Sequence, residues 1–319
     1  MIIHKTKDSS FKEVFGEPGL FAEFLKDFVN IDILKNVTAQ DIEDISERFV
    51  PLFQESKDSD TVKRINLKCG MPLYVIAIVE HESSVNYRAS FKMLQYITLV
   101  LTEYEKEANK AKEKADIEAT GKAGGKASSL KGFKYPPVLP IVFYDGPGSW
   151  TAETDFIEKV EMSDVFHRYI PKFEYELVSL AKYSKQDLIQ FGSTLSLIMI
   201  IDTIRTADGI SALGSLPPDY LDNISRNIPP HLKELLANII TVLLKKIKVP
   251  DDEIEAIRQK IHDRGITEMF AFIDNYDVQE TRRLSKAEGI KQGKQEGIKL
   301  GKQEGIKQGK QEGIKLGKQ

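Results

Sequence analysis

Three acidic residues, Asp60, Glu80 and Glu82, stand where a β-hairpin would gather them. Thr61–Leu67 alternates as a strand should, Cys69–Pro72 reads as a turn, and Leu73–Val79 is a continuous apolar run fit for a buried central strand. In a hairpin the start of one strand lies beside the end of the next, so Asp60 and Glu80 are expected together at the end away from the turn. Glu80 and Glu82 are two apart and project to one face while strand geometry lasts. Carboxylates crowded at the mouth of an apolar strand pair repel, and they are costly to desolvate unless a cation joins them. An all-oxygen set suits Mg²⁺ or Mn²⁺, which take one or two carboxylates plus waters and substrate phosphate. Such an ion can activate water and stabilise the leaving oxygen of a phosphodiester. The plainer alternative is that acids are common at wet strand ends and hold no metal.

The elements around the hairpin follow an α/β pattern. Ser9–Val29 has apolar residues at helical spacing, broken by Gly16-Glu17-Pro18-Gly19, which predicts a helical hairpin or a kinked pair. Ile45–Phe53 reads as a strand. Tyr87–Tyr104 reads as a long amphipathic helix with Phe91, Leu94, Ile97, Thr98 and Leu101 on one face. Residues 105–134 hold eight Lys, five acids and few large apolar residues, and are expected to be a helix end followed by a mobile loop. These lysines either touch phosphates or merely solvate an insertion. Val138–Tyr144 is a second buried strand ended by Asp145-Gly146, and Phe173–Ser179 a further one. From Lys185 onward the pattern is mainly helical: Leu188–Ala207, Pro229–Lys248 and Asp251–Tyr276, the last capped by Asp251.

Composition narrows the class. The chain has 319 residues, about two domains' worth at roughly 150 residues each. No apolar run reaches the ~18 residues of a membrane span, and the N-terminal residues lack the apolar core of a signal peptide, so a cytoplasmic protein is expected. One cysteine and five scattered histidines support neither a disulfide framework nor a zinc cluster. No GxSxG elbow occurs, and Ser/His/Asp catalysis has no support. The net charge of −3 conceals a basic tail: residues 288–319 carry +4, leaving −7 on residues 1–287. A mildly acidic body does not coat nucleic acid by charge alone, so any such contact must be local. The tail is four octads, EGIKQGKQ alternating with EGIKLGKQ, with glycine every fourth residue. Eight glycines at about 1 kcal/mol each make an isolated helix marginal there. A solvated spacer and an assembly element whose small-residue stripe admits a second helix both fit. A nucleotide loop does not, because no strand precedes the glycines and the spacing is not GxGxxG.

Several spaced blocks resemble the recombination-promoting nuclease/putative transposase family, within the PD-(D/E)XK nuclease superfamily. They are Asp8-Ser9-Ser10-Phe11-Lys12 with Phe15, the run Ser59–Gly70, Tyr74–Ser84 (YVIAIVEHESS), Leu139–Gly146 with Trp150, and the glycine-periodic tail. The resemblance spans residues 4 to about 205 and the tail. It implies a restriction-endonuclease-like mixed sheet and a Mg²⁺- or Mn²⁺-dependent endonuclease acting on DNA, with Asp60 and Glu80 as metal carboxylates. It also implies a core over residues 4–182, a helical region over 183–287 and the tail over 288–319. The superfamily pattern places Lys, and the family usually Gln, where this chain has Glu82. Glu82 is then a third metal ligand or a general base for the attacking water. The missing positive charge is sought in Lys63 or Arg64 on the adjacent strand, Arg64 sharing the side of Asp60. Gln95 and Tyr96 on the following helix either touch substrate or face solvent, Glu13 and Glu17 are candidates to line the cleft, and Trp150 reads as packing. Because one site cuts one strand, a double-strand break favours a dimer. The alternative is a nuclease-derived DNA- or partner-binding assembly protein that no longer cuts, a reading supported by Glu82 in place of Lys or Gln.

Overall fold

The computed structural model describes residues 11–49, 60–80, 85–146, 148–204, 213, 215–246, 249–264 and 294. The chain divides into two compact units, Met1–Ile200 and Ile201–Gln319.

The first unit is built on a five-stranded mixed sheet in the order β1-β2-β3-β4-β5. The strands are β1 (Ile42–Asp44), β2 (Thr61–Asn66), β3 (Pro72–Glu80), β4 (Val138–Tyr144) and β5 (Glu176–Ser179). β1, β2 and β3 pair antiparallel, while β3–β4 and β4–β5 are parallel. β3 is buried along almost its whole length because both of its faces are covered, which is why its sequence is a continuous apolar run rather than an alternating one. The β2–β3 turn closes at Gly70, whose φ of 80° is the left-handed conformation glycine adopts most cheaply.

Helices cover both faces of this sheet. On one side lie helical residues 11–16 and α1 (Pro18–Phe28), broken between them at Glu17, whose side chain accepts a bond from the Gly19 amide as the α1 cap. Phe11, Phe15 and Phe24 pack on Phe143 of β4, with ring centroids 5.4–6.0 Å apart. On the other side lies α2 (Ala89–Thr120), whose Met93, Tyr96 and Val100 pack against Val62, Tyr74, Ile76, Ile78 and Val142. The α2 stripe facing the sheet is thus Ala89, Met93, Tyr96 and Val100, rotated from the one expected; Phe91 is 44% exposed.

Three further expectations are corrected. Ile45–Phe53 is not a strand: β1 ends at Asp44 and Ser46–Arg48 is a 3₁₀ turn, with residues 50–53 outside the described set. The Ser46 hydroxyl accepts the Val62 amide at 2.9 Å, so a side chain takes over the ladder bond and diverts the backbone. Second, α2 does not end near Glu105 but runs to Thr120. Ala, Lys and Glu are strong helix formers, and the pairs Lys112–Asp116 and Lys114–Glu118 support a solvated helix without an apolar face. It stops at left-handed Gly121, whose amide bonds the Ile117 carbonyl at 2.8 Å. Third, β5 begins at Glu176 rather than Phe173, and the helical stretch expected from Leu188 breaks at left-handed Gly192.

After a short α3 (Ser163–Phe166), the described residues continue with helices α4 (Lys185–Phe191), α5 (Thr194–Thr203), α6 (Pro218–Asn227), α7 (Pro230–Lys246) and α8 (Asp251–Arg264). Arg258 of α8 pairs with Glu234 of α7. Asp251 is the first residue of its helix, and that helix is described only as far as Arg264. The octad tail lies outside the described residues apart from Lys294. Among the described residues no helix is long and apolar enough to cross a membrane.

Ile76 is 1% exposed and lies in the middle of β3. Ile76→Ala should cost about 2–5 kcal/mol of stability. The single tryptophan, Trp150, packs on Tyr144 of β4, so its fluorescence in a urea titration reports this unit directly.

Candidate active site

The sheet register brings the first two acids together. Thr61 stands opposite Ala77, so Asp60, one residue earlier, stands opposite Ile78, on the same face as Glu80 and diagonal to it. Such diagonal neighbours are about 7–8 Å apart. Both carboxylates are buried: Asp60 is 4% and Glu80 2% exposed. They feel each other, the Glu80 charge being one of the influences that raise the Asp60 pKa.

α2 supplies the polar partners. Lys92 and Tyr96, four apart on the sheet-facing side, both reach Asp60 Oδ2, the ammonium at 2.5 Å and the phenol donating at 3.1 Å. Asn86, just before the helix, accepts from the Arg88 amide at 3.0 Å and donates its Nδ2 to Glu80 Oε1 at 2.9 Å. Accepting from its own turn orients the Asn86 amide, which in turn fixes the Glu80 carboxylate. On the other flank, the Asp145 amide donates to the Glu80 carbonyl at 3.3 Å, so β4 continues the ladder past Tyr144.

Burial sets the electrostatics. It pushes the Asp60 carboxyl above the ordinary range, against the opposing charge and hydrogen bond of Lys92 and the smaller bond from Tyr96. Burial first, and then the Asp60 charge, raise the Tyr96 phenol well beyond its usual value, so Tyr96 stays protonated and donates. Among the described residues, Asp60 Oδ1 is buried without a hydrogen-bond partner, and so is the Tyr144 hydroxyl on β4, the strand paired with β3. An acceptor oxygen left so inside a protein calls for a donor or a cation.

Of the other positions singled out by sequence, Glu82 lies among residues 81–84, outside the described set. Lys63 is a correction. Alternation along β2 turns it to the opposite face, where it is fully buried, pairs with Asp44 at 2.5 Å and lies over the Phe21 ring of α1. Glu17 also acts on Lys63, which places its charge on that face, and Glu13 is exposed. Arg64 shares the Asp60 face but sits four residues along the strand, about 13 Å away, opposite Tyr74 and beside Glu43 at 3.9 Å. The cation at Asp60 comes instead from α2, as Lys92. Gln95 is exposed, and Trp150 donates to the Tyr175 hydroxyl at 2.9 Å as a packing residue.

Lys92 and Asn86 were missed by sequence reasoning. The signal for Lys92 was its place one turn before Tyr96, on the flank of the stripe Met93–Tyr96–Val100; nothing in the sequence pointed to Asn86. Removing the charge of Lys63 with a side chain of similar length tests its distance from the chemistry. Lys63→Met should leave any strand-cleaving activity within about twofold of wild type and change stability by no more than about 1–2 kcal/mol, because burial already opposes the Lys63 charge and the Asp44 left behind is 41% exposed and keeps its bonds from Ser46.

Among the described residues no group of three or more His, Cys, Asp or Glu is arranged to hold a metal. Within that set Asp60 and Glu80 bring two carboxylates together, the number Mg²⁺ commonly uses alongside water and phosphate. The unpartnered, buried Asp60 Oδ1 and the all-oxygen donor set fit such an ion.

No curated protein and no solved structure matches the chain. Residues 5–228, a span that includes the whole sheet and every residue of the site just described, match the family model for "Putative transposase, YhgA-like", and the chain belongs to that family.

Proposed function

We propose that the chain is a metal-dependent endonuclease that hydrolyses DNA phosphodiester bonds in transposition or recombination, on a PD-(D/E)XK-type core. The observation that carries this reading is the buried Asp60 Oδ1, without a partner among the described residues, beside Glu80 and next to the Lys92 ammonium. Family membership supplies the connection to DNA.

Asp60 and Glu80 would hold the Mg²⁺ or Mn²⁺, which when bound supplies an activated water and a counter-charge for the cleaved phosphate. The chain's own groups do the rest. Lys92 brings a fixed positive charge to the carboxylate edge, where it attracts the scissile phosphate and opposes the charge that develops on it. Tyr96 and Asn86 are positioning residues: each holds one carboxylate by a hydrogen bond, so that little reorganisation is needed when substrate arrives. Glu82, two residues past Glu80, remains a candidate third ligand or general base. Cutting both strands of a duplex calls for two such sites, hence a dimer.

A second reading has its own observation. Lys92 already neutralises Asp60 at 2.5 Å, which would let the pair persist as a structural contact in a DNA-binding protein that does not cut. Supercoiled plasmid separates the two. The enzyme reading expects nicking in Mg²⁺ or Mn²⁺, none in chelator, and loss of nicking in Glu80→Gln. Plasmid binding without nicking in either metal would establish the second reading instead.

A further inference from the structure

The connection from α2 to β4 carries a different kind of charge from the helix it follows. Within α2, Lys106, Lys112 and Lys114 are matched by Glu103, Asp116 and Glu118 one turn away. Residues 119–135 hold Lys122, Lys126, Lys131 and Lys134 and no Asp or Glu. All four are exposed, and none has a carboxylate within 4.0 Å among the described residues; Lys126 acts on Glu105 only through its longer-range field. Complementing the helix dipole explains at most Lys122, next to the C-cap.

These lysines are on a loop that is fastened down. After Gly121 the chain doubles back along α2. The Ser128 amide donates to Asn109 Oδ1 at 3.0 Å, Phe133 packs on Tyr104 at 6.0 Å, and the Tyr135 hydroxyl donates to Glu105 at 2.6 Å. At Gly124 the backbone comes so close to the Asp116 carboxylate that a Cβ would collide with it. Tyr104 in turn packs on Tyr74 of β3, joining the arm to the sheet that carries Glu80. Charges on a pinned loop lose less freedom on binding than charges on a free one.

We infer that this two-ply arm is a second contact for duplex DNA, gripping the phosphate backbone to one side of the carboxylate site. The inference rests on the endonuclease reading and adds where the substrate runs. Lys92 and Gly121 are 29 residues apart on one continuous helix, about 43 Å at 1.5 Å per residue. At 3.4 Å per base pair that is about 13 base pairs. Lys134, which returns to the level of Tyr104, lies about 18 Å from Lys92 along the helix, or about five base pairs. The arm therefore spans a duplex flank from about five to about 13 base pairs from the cleavage point. Phosphates are the partner that four unmatched, exposed lysines suit on a chain with an acidic body.

Binding in chelator measures this without cleavage. Wild type and a quadruple variant with Lys122, Lys126, Lys131 and Lys134 all changed to Gln are titrated against fluorescent 40-base-pair and 10-base-pair DNA duplexes over a series of salt concentrations. For the long duplex the variant should bind about 10–100-fold more weakly near 0.1 M salt, with the slope of log K against log salt reduced by up to about 3.6. For the 10-base-pair duplex, too short to reach most of the arm, the two proteins should differ by less than about threefold. The quadruple Lys→Arg variant should match wild type on both. Unchanged long-duplex affinity in the Gln variant overturns the arm and leaves the endonuclease reading intact. A larger loss for a 40-base-pair RNA duplex than for DNA overturns the DNA assignment. No DNA binding by wild type overturns both inferences.

Discussion

Asp60→Asn is expected to abolish strand cleavage, by on the order of 10²–10³-fold or more, while leaving the protein folded and no less heat-resistant. Loss of activity follows from the removal of an anionic ligand from the proposed cation site. The stability result follows from the sign of the pKa shift. Burial raises the Asp60 carboxyl in the folded chain above its unfolded value, so at neutral pH the ionised form opposes folding. Asn is neutral and close in shape, and its carbonyl can still accept from Tyr96. Lys92 keeps a 13% exposed side chain and can turn its ammonium toward water. The thermal midpoint of Asp60→Asn should therefore equal or exceed that of wild type at pH 7. The difference should shrink as pH falls through the raised folded pKa, where wild-type Asp60 takes up its proton. Mg²⁺ adds an independent readout. At 100 times its dissociation constant it should stabilise wild type by about 2.7 kcal/mol and Asp60→Asn hardly at all. Nicking by Asp60→Asn at the wild-type rate would remove Asp60 from the chemistry.

Lys92→Met should separate metal binding from cleavage. The ammonium opposes the effect of burial on Asp60, so its loss raises the Asp60 carboxyl further. A carboxyl with a higher pKa is less ionised at any given pH, and the acid limb of both Mg²⁺ binding and nicking should move to higher pH. Above that limb Asp60 is ionised again and no neighbouring cation repels the metal, so Mg²⁺ affinity should equal or exceed that of wild type. Nicking should stay depressed by about 10²-fold even there, because the charge facing the phosphate is gone. Lys92→Arg should restore the acid limb and part of the rate. A variant that binds and cuts normally at alkaline pH would reduce Lys92 to a buried counter-ion for Asp60. An acid limb that does not move would show that Asp60 is not the group being titrated.

The site residues differed in how legible they were, for physical reasons. Asp60 and Glu80 could be paired from sequence because hairpin register is local: an apolar run, a Gly70 turn and an alternating partner strand leave little choice about which ends meet. Lys63 was misplaced because a lysine beside the acids in sequence looks like an electrostatic partner. Period-two alternation sends it through the sheet to Asp44 on β1, a strand the sequence placed three residues late. The end of α2 was misjudged because apolar periodicity marks burial, whereas Ala, Lys and Glu sustain a helix in water without it. The same Lys-rich stretch concealed two populations of charge. Only the positions of Asp116, Glu118 and Glu105 show which lysines the helix uses and which it leaves on the loop.

By itself, the sequence determined the mixed α/β class, the central place of β3, the mainly helical character of the described residues from 185 to 264 and the meeting of two acids at a strand end. All of these follow from patterns within a few neighbouring residues, where backbone geometry dictates the outcome. Only the tertiary structure decided which cation faces those acids, which amide and phenol hold them, and how far the lysine arm reaches. Each of these depends on how α2 lies across the sheet. That packing is set by Met93, Tyr96 and Val100 fitting against Val62, Ile76, Ile78 and Val142, residues as many as 49 positions apart in the chain. No local pattern encodes such a fit.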